Sequence, residues 1–131
     1  MTMSSNQVVR RFYEMALTGR VQEMLALVDP AVRVIEAPSL PYGGTFEGIE
    51  GLLKAFQIVF ATWKDCQITL QEVVGEGEWV VGLSQMSGTS SATGKAFKQS
   101  LAEVFRVVNG KVLEIKPFYF DTKILYDIHH G

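Results

Sequence analysis

Cysteine occurs once, at Cys66, and histidine only twice, as His129 and His130 at the end of the chain. A single cysteine closes no internal disulfide, which fits a reducing compartment and a buried, inert thiol. His, Cys and carboxylate residues nowhere fall at metal-ligand spacing, so neither a metal nor any other cofactor is expected, and the two histidines read as a frayed tail. There is no G-x-S-x-G elbow, and "GTSSATGK" (Gly88 to Lys95) ends without the G-K-[ST] of a phosphate loop. It lies between two strand-like runs and reads as a hairpin loop. The formal charge is only −2, with no basic stripe, which argues against nucleic acid as a partner. No apolar run is long enough to span a bilayer, and "MTMSSNQVVRRF" lacks the apolar stretch of a signal peptide. The expected location is cytoplasmic.

What is present is apolar surface: 47% of 131 residues, enough for one domain, 1–131, with a real core. Ser4 and Gln7 have capping-box spacing, and Val8, Val9, Phe12, Met15 and Ala16 recur at helical steps up to Gly19. Arg20 to Val28 repeats the pattern until Asp29-Pro30, and Ala31 to Ala37 reads as a strand. A turn-rich stretch, "LPYGGTFEG" (Leu40 to Gly48), then leads into a third helix with the stripe Ile49, Leu52, Leu53, Phe56, Phe60 and Trp63. From Asp65 the period changes to two. Four long strands follow, broken at Gly75–Glu78, at the "GTSSATGK" loop and at Asn109-Gly110, the last a strong hairpin signal. Helices gathered before antiparallel strands predict an α+β fold in which a curved sheet and its helices enclose a cavity.

Alternation along 97–108 puts Phe97, Gln99, Leu101, Glu103 and Phe105 on one apolar face, so Glu103 is an inward carboxylate flanked by Leu101 and Phe105. Glu36 shares a face with Val32 and Val34, and Asp121 shares one with Ile115, Pro117 and Tyr119. Burial raises the pKa of a carboxylate that has no partner, so each is a candidate acid or base. Each also has a plainer reading. Glu103 could pair with a cation across the sheet, Glu36 could be a surface acid, and Asp121 could cap a C-terminal helix. Tyr13, Tyr42, Tyr119, Trp63 and Trp79 read first as core aromatics.

The element order, with "LPYGGTFEGIEGLLKAF" after the first strand and "FRVVNGKVLEIKPFYFD" at the end, resembles the nuclear transport factor 2-like superfamily. Within it the chain is most similar to SnoaL-like and ketosteroid isomerase-like proteins. The resemblance implies a cone-shaped sheet around a deep apolar pocket, with the long helix as a wall and often a dimer. In the isomerases a base closes the first strand just before a proline; here Glu36 lies one position from that place, ahead of Ala37-Pro38. Their protonated acid falls on Glu103, in "EVFR". Their oxyanion tyrosine falls on Phe12, with Tyr13 adjacent, and the late acid of some cyclases loosely matches Asp121. A dehydratase-like mechanism would want inward histidines, which the chain lacks.

The catalytic candidates are therefore Glu36, Glu103, Tyr13 and Asp121. Around an apolar small-molecule ligand the expected wall comprises Phe12, Phe56, Phe60 and Trp63 from the helices, and Trp79, Gln99, Phe105 and Tyr119 from the sheet. Tyr42 and Phe46 are expected at the mouth. Three functions fit: proton transfer on a carbonyl compound by an isomerase or cyclase, binding of an apolar molecule without chemistry, or dimerisation. Val80, Met86, Val104 and Val108 are assigned to an outer sheet face, which predicts a homodimer.

Overall fold

The computed structural model describes residues 2–131. Helix α1 (Ser5–Leu17) begins at the expected capping box: the Ser4 N–H donates to Gln7 Oε1 at 2.8 Å, and the Gln7 N–H donates to Ser4 Oγ at 3.2 Å. Its buried stripe is Val8, Val9, Phe12, Tyr13 and Met15. Helix α2 (Val21–Leu25) is shorter than its pattern suggests, because strand β1 (Val28–Glu36) starts ahead of Asp29-Pro30. The proline sits where the strand register shifts, with Asp29 Oδ1 accepting from the Ala31 N–H at 2.8 Å, so its missing N–H costs no ladder bond.

The turn-rich stretch after β1 contains a strand that its composition conceals. Strand β2 (Gly44–Glu47) pairs antiparallel with β1, placing Phe46 opposite Val34. Helix α3 (Gly48–Thr62) follows and stops one residue before Trp63. Trp63 is not on the helix stripe; it opens strand β3 (Trp63–Val74), with its backbone already extended. Strands β4 (Trp79–Ser90), β5 (Ala96–Val108) and β6 (Lys111–Tyr119) complete an antiparallel meander. At the last hairpin Asn109 and Gly110 both have positive φ, 52° and 74°, which a two-residue primed turn requires.

The six strands run in the order β2-β1-β6-β5-β4-β3. The meander is antiparallel, and β1 joins it alongside β6 by a parallel pairing. That pairing ends at Val34 and Ile115. Two residues further along β6 stands Pro117, which has no N–H to donate, and Glu36 lies beyond the last pair. Register shifts in β3 and β5 bend the open sheet around α1 and α3.

Two apolar clusters hold the layers together. One joins α1, α2 and α3 to the sheet through residues such as Val9, Phe12, Leu52, Phe105 and Val112. The other gathers Leu40, Tyr42, Trp63, Met86, Phe97 and Leu125 at the opposite end. Helix α4 (Thr122–His130) closes that end, so the chain finishes in a docked helix and not in a frayed tail. His129 Nδ1 lies 2.9 Å from Ser90 Oγ with its ring edge-on to Trp63, and His130 stacks on Tyr126. On β4, Val80 and Met86 turn inward and are buried, contrary to the outer-face assignment; Leu83, Phe118 and Phe120 are among the large apolar groups left outside. Among the described residues no helix is long and apolar enough to cross a membrane.

Candidate functional site

Between α1, α3 and the concave side of the sheet lies a cavity of about 90 Å³. Helix α1 contributes Phe12, Tyr13, Ala16 and Leu17, and α3 contributes Phe56, Val59 and Phe60. The sheet supplies Glu36, Ile68, Met86, Leu101, Glu103, Ile115 and Tyr119. The wall is almost wholly apolar, and its few polar groups are two carboxyls and two phenols. Leu17 and Phe60, 43% and 48% exposed, form the rim.

The strands account for the convergence of these groups. Glu103 pairs with Pro117 on one side and with Gly82 on the other. Glu36 ends β1 next to the same Pro117 region. Gly82 matters because it has no side chain: a Cβ there would stand 2.6 Å from Tyr13 Cε2 and 2.7 Å from Cζ, closer still to the hydroxyl. The Tyr13 ring therefore lies over β4 in a space only glycine leaves open. From there its O–H donates to Glu103 Oε1 at 2.6 Å. Phe105 braces the ring edge-on, with centroids 5.4 Å apart.

Burial raises the pKa of Glu103, and the hydrogen bond from Tyr13 only partly offsets it. The same pairing, on top of burial, pushes the Tyr13 phenol far above its ordinary value. Ser84 Oγ is near this phenol but forms no hydrogen bond of ordinary geometry with any described residue. Glu36 is 5% exposed, and its Oε1 is enclosed without a hydrogen-bond partner among the described residues. Burial, with the charge of Glu103 as a second cause, pushes its pKa up to about 8. The cation-pairing reading of Glu103 and the surface reading of Glu36 are both set aside. The ion pairs of the described residues, such as Arg10–Glu72 and Lys123–Asp127, lie on the surface.

Family membership can be read against this geometry. The sequence model of the SnoaL-like domain matches residues 9–115. The chain belongs to the SnoaL-like family. Its fold superposes on an NTF2-like protein from Burkholderia thailandensis E264 with a TM-score of 0.89, at 26% identity over 99% of both chains. A protein from Jannaschia sp. CCS1, assigned as a SnoaL-like polyketide cyclase, superposes with a TM-score of 0.78 at 19% identity, covering 97% of this chain and 93% of the other. TerC, crystallised with polyporic acid, gives 0.82 at 17% identity over 98% of this chain and 100% of its own. A search of curated proteins returned no match.

Within this SnoaL-like domain, Glu36, Glu103, Tyr13, Phe12, Phe56, Phe60 and Tyr119 meet at one cavity, and the other sequence candidates do not. Asp121 caps α4, accepting from the Lys123 and Ile124 N–H groups at 3.0 and 3.2 Å. Gln99 is occupied with the Asp121 backbone, donating to its carbonyl and accepting its N–H. Trp79 is 53% exposed beneath the Arg106 guanidinium, because the strand alternation turns it outward. Tyr42 and Trp63 are core residues of the second cluster, Phe46 packs at the margin of the first, and Phe105 lies behind Tyr13. The mouth is thus Leu17 and Phe60, not Tyr42 and Phe46. Gly82 and Ser84 went unnoticed in the sequence, although a glycine inside a strand pattern is a signal of close approach. Cys66 is half-buried, its thiol pushed up to about 11 by burial and so protonated at neutral pH. Among the described residues no His, Cys, Asp and Glu group is arranged to hold a metal.

Two outcomes follow for stability. Below pH 4.5 Glu36 is protonated in folded and unfolded chains alike and carries no charge penalty. As pH rises through about 8 the unfolded state has already ionised and the folded state must follow, so stability falls across this window. A shift of that size corresponds to about 5 kcal/mol. Chemical denaturation at stepped pH should show this decline in the wild type and a much flatter profile in Glu36→Gln. Separately, Gly82→Ala should cost about 1–3 kcal/mol by overpacking. Thermal melts should show that cost largely disappear in a Tyr13→Ala background, because the clash is with that ring.

Proposed function

We propose that this domain catalyses acid/base proton transfer on a small apolar carbonyl compound, by isomerisation or aldol-type cyclisation. The observation that carries the reading is Glu36: a buried carboxyl with an unpartnered oxygen and a pKa of about 8, facing an apolar cavity. A general base is most useful when its pKa lies near the working pH. About a tenth of Glu36 is ionised at pH 7, and that fraction is strongly basic because nothing in the site stabilises it.

In the proposed reaction, ionised Glu36 removes a proton from the carbon beside the carbonyl, and the C–H electron pair moves onto the carbonyl oxygen as an enolate. Glu103 takes part in this proposal as the neutral acid, the form that its burial favours. It accepts from Tyr13 at Oε1 and keeps its own acid proton to donate to the enolate oxygen. The Tyr13 bond polarises the carboxyl and strengthens it as a donor. Glu36 then returns the proton at another carbon, giving an isomer, or the enolate carbon attacks a second carbonyl, closes a ring and leaves an alkoxide that takes the proton from Glu36. The assignment of the Jannaschia neighbour as a polyketide cyclase agrees with the latter chemistry. No cofactor is invoked.

For apolar enones and β-dicarbonyl compounds, kcat/KM should rise with pH and level off above about 8, where Glu36 is ionised in the free protein. Glu36→Gln should lower it by roughly 10²–10⁴-fold while retaining ligand binding. Binding without turnover in the wild type would instead make the domain a carrier of apolar molecules.

The proposed assembly is a homodimer through the outer face of the sheet. Leu83, Ala102 and Phe118 are cross-strand neighbours there, and Phe120, 84% exposed, extends the row. Light scattering should return twice the 14.6 kDa protomer mass at micromolar concentration, and Phe118→Glu should return the protomer.

A further inference from the structure

Hydrogen-bond donors can be counted along a chain of three side chains behind the cavity. Trp63 is fully buried, and its indole N–H can only donate; it reaches the Tyr42 hydroxyl oxygen at 2.9 Å. The Tyr42 hydroxyl lies 3.0 Å from that of Tyr119. Tyr42 is buried, and among the described residues the Tyr119 oxygen is the one acceptor within reach of its single proton. If Tyr119 donated to Tyr42, the Tyr42 proton would be enclosed without an acceptor. That arrangement is costly, so the chain runs Trp63 to Tyr42 to Tyr119. The Tyr119 proton is then unspent, on a phenol that borders the cavity.

The same cavity holds an enclosed, unspent acceptor, Glu36 Oε1. A donor and an acceptor left open on one apolar wall describe the polar end of a ligand. We propose that Tyr119 is a second oxyanion donor, and that the ligand is an enolisable carbonyl compound docked with its oxygen on Tyr119 and its acidic hydrogen toward Glu36. Tyr42 and Trp63 are positioning residues: they saturate the Tyr119 oxygen with a donor, which fixes the phenol and leaves its own proton free for the cavity. This assignment rests on the proton-transfer reading for its chemistry, but its geometry stands without any turnover.

A matched probe pair tests it. Para-nitrophenolate carries the charge of an enolate on its oxygen, whereas para-nitrotoluene has nearly the same shape with a methyl group in place of that oxygen. Affinities are measured by calorimetry at pH 7, where Glu36 is mostly protonated, as it is beside an enolate. Tyr119→Phe should weaken nitrophenolate binding by about tenfold or more and leave nitrotoluene binding unchanged. Tyr42→Phe should weaken nitrophenolate binding by a smaller factor, again sparing nitrotoluene. Replacing Tyr119 by a fluorotyrosine with fluorine beside the hydroxyl keeps the shape, sharpens the donor and should tighten nitrophenolate binding; it also serves if Tyr119→Phe fails to fold. Equal losses for both probes, no loss for either, no effect of fluorination, or a wild type that binds neither probe would overturn the assignment. Loss of turnover in Glu36→Gln with no nitrophenolate discrimination at Tyr119 would leave the acid/base reading standing and remove Tyr119 from it. Discrimination at Tyr119 in a protein that turns nothing over would do the reverse.

Discussion

Two carboxyl groups share one apolar cavity whose wall contains no lysine or arginine. Neither Glu36 nor Glu103 has a cation among the causes that set its pKa. Charge in the cavity can therefore be balanced only by protons, and every other feature of the site answers to that. Burial raises both acids, and the mutual repulsion of two carboxylates raises Glu36 further. Among the described residues Tyr13 supplies the one side-chain hydrogen bond that Glu103 receives, and it reaches Glu103 only because Gly82 leaves room. A cation in the wall would have ionised both acids and produced a structural ion pair instead of a group able to exchange a proton near neutral pH.

The fold serves this constraint by moving backbone out of the way. Pro117 has no N–H to offer on the β1 side of β6, and the β1–β6 pairing ends at Val34 and Ile115, so Glu36 is held in the sheet by its pairing with Gly44 of β2 alone. Beyond that point a second depression of about 460 Å³, lined by Ile35, Pro38, Thr45, Lys116 and Phe118, shares Glu36 and Tyr119 with the cavity. The end of β1 thus places Glu36 between two spaces, one apolar, the other bordered by a lysine.

Much of this was legible in the residues, for identifiable reasons. The alternation through Leu101, Glu103 and Phe105 fixed the face of Glu103 because a strand has a period of two and its neighbours are large. Asn109-Gly110 and the Ser4/Gln7 box are short-range signals whose physics is local. Other features depended on partners distant in sequence. Phe12 and Tyr13 are both buried on α1, and only the position of Gly82, about seventy residues on, determines which ring reaches an acid. Strand β2 is four residues led by a glycine, too short to show a period; it exists because β1 offers it an edge. Tyr42 looked like a mouth residue because it follows a turn, yet α4 folds over that end and encloses it. Asp121 had two readings of similar form in the sequence, and the start of α4 selected the cap.

Leu17 and Phe60 form the rim of the cavity and belong to neither apolar cluster. Half in water already, they lose little burial when exchanged, so their replacement draws little on the stability that the clusters supply. Glu36, Glu103 and Tyr119, by contrast, stand on β-strands, and Tyr13 is buried on α1 within the first cluster. The two rim side chains can therefore be exchanged at little cost to the packing around the carboxyls at the base of the cavity. Two surface substitutions would reshape the opening of this architecture while Glu36, Glu103 and Tyr119 stay in place, which is a physical route to the diversification of one scaffold.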